Sequence, residues 1–215
     1  MKRADIKINS GDEKLFPRSK WISVKKLSGE NKVLKSPLLH TAFRLILKKH
    51  IPKHKIAFLS LCTTTRPYSL SKKWKKFIEA FDAKADLMVV SNGGFIPKAF
   101  WNSYPFLNYD AGNHENNDLI SLMCERMVQF FKKHPYEYVI ANFSHKQKNQ
   151  KLVIQSLTEL KSAEFIKDFI VIPDKKTYEK AQVVGWNENG MMFPDLHPII
   201  FNKLKRYINK YNSLT

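Results

Sequence analysis

The sequence predicts an α/β fold with a mostly parallel central sheet of about four strands. Short apolar runs without polar alternation are typical of strands that are buried on both faces. Four such runs recur along the chain, at residues 55–62, 86–91, 136–141 and 169–172. Amphipathic stretches separate them, as expected where helices connect parallel strands. A flavodoxin-like strand order fits this periodicity as well as other parallel orders do.

The sequence also predicts helices before, between and after these strands. Ser36 and Pro37 supply an N-cap and a first-turn proline for a helix that ends near His50. Ser71 can cap a second helix, with its apolar residues inward and the intervening lysines facing solvent. The inward set is Trp74, Phe77, Ile78 and Phe81, and the outward set is Lys72, Lys73, Lys75 and Lys76. Further predictions are helices from Asn117, over 146–160 and over 198–211, a helical turn at 96–101, and a short strand at 104–109.

The length of 215 residues fits one domain with a short appendage. Residues 1–35 mix basic and polar residues with isolated apolar pairs, so we interpret them as a basic N-terminal extension packed on, or leading into, the domain. Residues 36–215 carry the main strand and helix signals and are interpreted as a single α/β domain.

Positive charge is the strongest feature of the composition. The chain has 37 Lys and Arg against 19 Asp and Glu, a formal net charge of +18. Because phosphate neutralisation dominates nucleic-acid binding, an excess of this size predicts DNA or RNA as a partner. The alternative explanation is a lysine-rich proteome in which most domains are basic, and the abundance of Lys over Arg fits it.

Composition also bears on the compartment and on cofactors. No apolar run is long enough to span a bilayer, and the N-terminus lacks the apolar core of a signal peptide, so we expect a cytoplasmic protein with no membrane partner. Cys62 and Cys124 have neither zinc-site spacing nor a disulfide framework, and we expect no metal and no cofactor. Cys124 is predicted to lie in the core. Cys62 follows a strand, where Arg66 or a helix N-terminus can lower the pKa of its thiol.

Polar side chains follow the predicted strands at the point where each strand ends. Because open α/β sheets bind ligands outside the carboxyl ends of their strands, these loops predict one shared pocket. The loop after the first strand is alternatively only a turn and a capped helix. The polar segment 110–117 can supply acid–base groups or ligands, or it can simply cap the following helix. The candidates are Cys62, Arg66, Tyr68, Ser69, Ser71, Asn92, Gly93, Asp110, His114, Asn142 and His145.

The order of these motifs resembles the central domain of archaeosine synthase and its stand-alone archaeal relatives. The family motif, which follows a strand, reads Pro-Cys, three residues, Lys-Pro-Tyr, two residues, Ser, two residues, His. The residues that keep this motif here are Cys62, Pro67, Tyr68 and Ser71. The residues that replace the family's Pro, Lys and His are Leu61, Arg66 and Trp74. The resemblance covers most of residues 36–180.

The resemblance implies a three-layer α/β/α sandwich like that of uracil-DNA glycosylases. It also implies a role in 7-deazaguanine modification of tRNA, with tRNA as the partner and a site for RNA or a 7-deazaguanine-type base. The catalytic roles then fall to Cys62, Tyr68, Ser71 and Asp110. Substrate binding falls to Arg66, Ser69, Asn92, Gly93, His114, Asn142 and His145.

Whether the chain is an enzyme stays open at this point. The family suggests amidinotransferase- or lyase-type chemistry, but Arg66 stays protonated and Trp74 cannot accept a proton. One alternative is a non-catalytic adaptor subunit of a tRNA-guanine transglycosylase-like protein. Another is a glycosylase-like enzyme that acts on DNA.

Overall fold

A computed structural model of the protein describes residues 36–65, 67–91, 94–102, 117–144, 149–184 and 194–214. The predicted N-terminal extension and the predicted strand at 104–109 lie outside these ranges. The described helices are α1 Pro37–Lys49, α2 Lys72–Phe81, α3 Asn117–Lys133, α4 Asn149–Ser162, α5 Lys175–Val184 and α6 Pro198–Ser213. The described strands are β1 Ile56–Leu61, β2 Asp86–Ser91, β3 Gly94–Pro97, β4 Tyr138–Asn142 and β5 Asp168–Ile172.

The five strands form one mixed sheet in the order β3-β2-β1-β4-β5. Strands β2, β1, β4 and β5 are parallel, and β3 runs antiparallel to β2 at one edge. The prediction of a mostly parallel sheet is therefore confirmed. Every residue of β4 is buried, as expected of an apolar strand with a neighbour on each side and helices above it.

The helices pack in two groups. Helix α3 contacts both α1 and α4, whereas α6 contacts both α2 and α5. Phe58 of the central strand packs against Phe77 and Phe81 of α2, with ring centroids 4.9 and 5.1 Å away. Phe201 of α6 stacks on Phe81 at 5.3 Å. Each fully buried Phe contributes on the order of 1.5–3 kcal/mol, so this aromatic stack fixes α2 and α6 against β1.

One of the described strands and one of the described helices were not predicted from the sequence. Strand β3 replaces the first part of the predicted helical turn at 96–101, of which only a 3-10 turn at Lys98–Phe100 remains. Proline is tolerated at the end of an edge strand because its missing N–H leaves no partner unsatisfied, which explains Pro97. Helix α5 buries only Thr177, Tyr178 and Ala181, a weak apolar signal.

None of the six described helices combines the length and the apolar character that are needed to cross a lipid bilayer.

A hydrogen-bonded network joins the loops at the amino end of the sheet, where the parallel strands begin. Asp86 accepts hydrogen bonds from the Tyr136 hydroxyl at 2.7 Å and from the backbone N–H of Lys53 at 2.8 Å. The ring of His54 lies 2.9 Å from the same carboxylate. The hydroxyl of Tyr136 also lies 2.7 Å from Nε2 of His50. The network therefore ties the starts of β1, β2 and β4 together.

This network makes stability depend on pH. Burial, and secondarily the nearby His134, lower the pKa of His50 from its ordinary value of 6.5 to about 4. The unfolded chain therefore binds more protons than the folded chain between these values, so stability falls as the pH drops from 6.5 towards 4. After discounting for the partial exposure of the ring, we expect a loss on the order of 1–2 kcal/mol.

Urea unfolding of the wild type and of His50→Gln at pH 7 and pH 5 measures this loss. The wild type should lose stability at pH 5, and the variant should lose clearly less. Equal losses in both proteins would place the titrating group elsewhere, the first alternative being His134, whose pKa is also lowered by burial.

Candidate functional site

The strand order has a topological switch point between β1 and β4 at the carboxyl end of the sheet, and we call this region the crevice. Strand β1 is central, with β2 on one side and β4 on the other. The helix that follows β1 is α2, and the helix that follows β4 is α4, and these belong to the two different groups of helices. The chain therefore leaves β1 and β4 in diverging directions, and ligands of open α/β sheets bind at such a point.

Buried polar side chains concentrate at this end of the sheet. Uncompensated burial of a polar group costs free energy, so such a concentration needs a reason beyond packing. The buried polar residues at the ends of strands and at the starts of helices here include Ser60, Ser71, Lys73, Ser91, Asn142, Ser144, Thr177 and His197.

Asn142 lies at the centre of the crevice. It is the last residue of β4 and pairs in register with Ser60 of β1. Its Nδ2 donates a hydrogen bond of 3.3 Å to the Ser60 hydroxyl. Its Oδ1 is buried and has no hydrogen-bond partner among the described residues, although the residue is only 1% exposed. Asn142 therefore keeps one buried acceptor for a further donor.

A buried ion pair lies at the end of β1. The ammonium group of Lys73 donates a 3.1 Å hydrogen bond to the carbonyl of Leu61, the last residue of the strand. It also forms an ion pair of 2.5 Å with Asp195, from the 3-10 turn Pro194–Leu196. Only 3% of the Lys73 side chain is exposed. The prediction that Lys73 faces solvent is wrong, whereas Lys72, Lys75 and Lys76 are exposed as expected.

Two helix N-termini also reach this end of the sheet. Ser71 caps α2, because its hydroxyl accepts a 3.2 Å hydrogen bond from the backbone N–H of Trp74. His197 caps α6, where its Nδ1 accepts from the backbone N–H of Ile199 at 3.3 Å. Helix N-termini carry partial positive charge, so they give this end of the sheet a positive potential, whereas the charge of Lys73 is balanced by Asp195.

The structure gives definite positions to five of the predicted site residues. Cys62 directly follows β1, is half-buried, and donates its backbone N–H to the carbonyl of Val90 at 3.0 Å. Tyr68 is fully buried and packs edge-on against Trp101, with ring centroids 5.8 Å apart. Ser69 is half-buried beside it. Ser71 and Asn142 occupy the positions described above.

The other predicted site residues lie outside the described ranges, and their roles remain predictions. They are Arg66, Asn92, Gly93, Asp110, His114 and His145. Within the described residues, the sheet brings the ends of β1 and β4 side by side, so Cys62 lies two positions beyond Ser60, the partner of Asn142.

Trp74 is a core residue. Its side chain is fully buried, and its ring lies 4.7 Å from that of Trp101 and 5.5 Å from that of Phe77. The inward position predicted for Trp74 is therefore correct. The archaeosine synthase motif has a histidine at this position, and here the position is filled by a packed aromatic ring.

Sequence reasoning missed Lys73, Asp195 and His197 as parts of this end of the sheet. Asp195 and His197 stand directly before the predicted final helix, in a stretch that ends in Pro198. A polar residue before a proline that opens a helix is a capping signal, and it was available for His197. No local signal pairs Asp195 with Lys73.

Two surface clefts lie between neighbouring helices. One, of about 430 Å³, lies between α3 and α4 and includes Cys124 and Ser156. Cys124 is buried as predicted, and burial raises the pKa of its thiol. The other, of about 420 Å³, lies between α5 and α6. Within the described ranges, no group of three or more His, Cys, Asp and Glu residues is arranged to hold a metal ion.

The described geometry is that of a mixed α/β protein with a cluster of buried polar side chains at the carboxyl end of its sheet. Residues 42–181 match the family described as "Domain of unknown function (DUF5591)", and the chain belongs to this family.

A solved structure is similar in fold. It is described as "Crystal structure of AF0587, a protein of unknown function", and the similarity has a TM-score of 0.51 with 12% sequence identity. The alignment covers 80% of this chain and 50% of that chain, so the present chain corresponds to about half of that protein. No curated protein matches the sequence.

Proposed function

We propose that the protein functions in tRNA modification and binds a guanine-like 7-deazapurine base, carried on RNA, in the crevice between β1 and β4. The observation that carries this proposal is the buried Oδ1 of Asn142, which has no partner among the described residues. The resemblance of 61–74 to the archaeosine synthase motif supports the choice of base.

The chemistry of Asn142 suits a base of this class. One of its two amide N–H donors is engaged by Ser60, and its Oδ1 has no described partner, so Asn142 offers a ligand an acceptor. A guanine-like ring carries N–H donors on its Watson–Crick edge, and proteins read extruded or single-stranded bases along that edge. A buried acceptor that lacks a partner costs about 1–3 kcal/mol, and a ligand that donates to it recovers this energy.

The charge of the chain supports RNA as the carrier of the base. A net charge of +18 attracts a polyanion, and the two helix N-termini add a positive potential at the crevice. Backbone contacts of this kind position a nucleic acid without reading its sequence, and Asn142 then supplies the base recognition.

The arrangement of the helices supports the finer fold assignment that accompanies this function. The two separate groups, α1 with α3 and α4, and α2 with α5 and α6, fit the three-layer α/β/α sandwich of uracil-DNA-glycosylase-like folds. Such folds place a nucleobase site at the carboxyl ends of parallel strands, but fold alone does not establish function.

A second candidate is a non-catalytic role, as an adaptor subunit of a tRNA-guanine transglycosylase-like protein. The observation that favours it is the burial of Trp74 at the position of the motif histidine. An indole packed between Trp101 and Phe77 cannot transfer protons to or from a substrate. Turnover of 7-deazaguanine-bearing tRNA by the wild type but not by Cys62→Ala would overturn the adaptor role.

Substitution of Asn142 by alanine tests the proposed base site. We expect Asn142→Ala to weaken binding of free 7-cyano-7-deazaguanine at least about tenfold, since it removes the open acceptor Oδ1. Affinity for an unmodified tRNA transcript should change less than about threefold, because backbone contacts dominate it. Isothermal titration calorimetry measures the first quantity and fluorescence anisotropy the second.

Asn209→Ala is the matched control for this test. Asn209 is exposed on α6 and accepts a 2.8 Å hydrogen bond from Lys84, far along the helix from the crevice. It should bind the base like the wild type. Equal base affinities for Asn142→Ala and Asn209→Ala, with circular dichroism showing both folded, would reject the site.

A further inference from the structure

The cleft between α5 and α6 has a basic lining. Its walls carry three exposed cations, Lys176 and Lys180 from α5 and Arg206 from α6. None of the three forms an ion pair with a described carboxylate. Unpaired cations facing one concave surface repel one another, so the cleft is suited to an anionic occupant.

A fourth cation is fixed at the floor of the cleft. Lys203 forms an ion pair with Asp174 and donates a 2.6 Å hydrogen bond to the hydroxyl of Thr177. Burial opposes ionisation of Asp174, but the hydrogen bonds from Lys203 and Thr177 outweigh it and lower the pKa of Asp174 to about 2. The carboxylate therefore stays charged and holds Lys203 in place. This pair is structural, and the three exposed cations are the groups available to a ligand.

The position of the cleft connects it to the crevice. Asp174 follows β5 at the carboxyl end of the sheet, and the lining residue Ile199 accompanies His197 in the first turn of α6. The cleft therefore begins beside the crevice and continues along α5 and α6. Lys176 and Lys180 are one helical turn apart, which arrays their charges along the wall.

We propose that this cleft holds the phosphate backbone of the RNA whose base enters the crevice. The inference rests on the proposed function and adds to it the surface that binds the backbone. Charge complementarity favours a chain-like polyanion, because the cations line a concave groove about 420 Å³ in volume rather than a flat face that a membrane could cover.

The test is a triple substitution, Lys176→Ala, Lys180→Ala and Arg206→Ala, with Lys203 left intact. The probe is an unmodified tRNA transcript, whose affinity is measured over a series of salt concentrations. Each lost phosphate contact should reduce the slope of log K against log salt by about one, so the slope should fall by about two to three. At fixed moderate salt, affinity should fall on the order of 30-fold.

The matched control is Lys48→Ala, Lys49→Ala and Lys133→Ala. These lysines are exposed at the ends of α1 and α3, near the amino end of the sheet, and their removal changes the net charge equally. The control should keep most of the affinity and the slope. If the two triple variants lose affinity equally, the groove assignment is wrong and general charge attracts the RNA.

Further measurements distinguish an error in the assignment of the cleft from an error in the proposed function. Unchanged binding of 7-cyano-7-deazaguanine by the groove variant, together with weaker tRNA binding, supports both. If the Lys176, Lys180 and Arg206 triple variant binds tRNA normally, the cleft does not bind the RNA backbone, whereas the proposed base site is unaffected. If the tRNA affinity of the wild type does not fall steeply with salt, both the assignment of the cleft and the proposal of an RNA partner are wrong. Vesicles containing anionic phospholipid serve as a competitor, and loss of vesicle binding without loss of tRNA binding also overturns the groove.

Discussion

Replacing Asp195 by alanine is expected to lower the free energy of unfolding by about 3–5 kcal/mol. The substitution leaves the ammonium group of Lys73, whose side chain is only 3% exposed, without its counter-charge. Lys73 keeps its hydrogen bond to the Leu61 carbonyl, but a buried charge with one neutral partner remains costly. Urea denaturation followed by circular dichroism measures the loss.

A double-mutant cycle separates loss of the ion pair from loss of packing. Lys73→Met keeps the length of the side chain and removes the charge, so Asp195→Ala should cost far less in that background. Lys75→Met, at an exposed position of the same helix, is the control and should change stability by less than about 0.5 kcal/mol. Additive effects of the Lys73 and Asp195 substitutions would show that the pair is not coupled.

Gly94→Ala should destabilise the protein by about 2–4 kcal/mol for two independent reasons. Gly94 has a φ angle of 121°, which side-chain-bearing residues rarely adopt. A Cβ atom there would also lie 2.9 Å from Nη1 of Arg126, a buried guanidinium that packs over Phe43. Thermal unfolding measures the effect.

The two causes can be distinguished with a second substitution. Adding Arg126→Met to Gly94→Ala removes the close contact but keeps the unfavourable backbone angle, so only part of the loss caused by Gly94→Ala should be recovered. Lys98→Ala, in the turn after β3, is the control and should cost less than about 1 kcal/mol, because its ion pair with Asp82 is partly exposed. A Gly94→Ala protein as stable as the wild type would show that Gly94 adopts another φ angle.

The parallel core was predictable because its strands carry continuous apolar runs. The register that aligns Ser60 with Asn142 was not, because apolar runs fix neither strand order nor pairing partners. Strand β3 escaped prediction because its four residues include a glycine and a proline, which mark turns more often than strands. Helix α5 escaped because Thr177, Tyr178 and Ala181 give a small apolar face.

The site was predictable only where it depends on strand ends. Asn142 was found because polar residues that end parallel strands meet at one end of a sheet. Lys73 was misjudged because a lysine beside exposed lysines has the pattern of a solvated helix face. Lys73 is buried because it pairs with the carboxylate of Asp195, which lies much later in the sequence. Only the tertiary structure determines such a pairing.

Helix α6 has a consequence for synthesis of the protein on the ribosome. Its first turn adjoins Asp195, and near its other end Tyr211 stacks on Tyr138 at 4.4 Å. In chain order it follows all five strands. A nascent chain that has emerged only to residue 193 has all five described strands, but it lacks the helix that covers β1 and the counter-charge of Lys73. This end of the sheet is therefore completed only after α6 has been synthesised, and shorter nascent chains should leave Lys73 without its counter-charge.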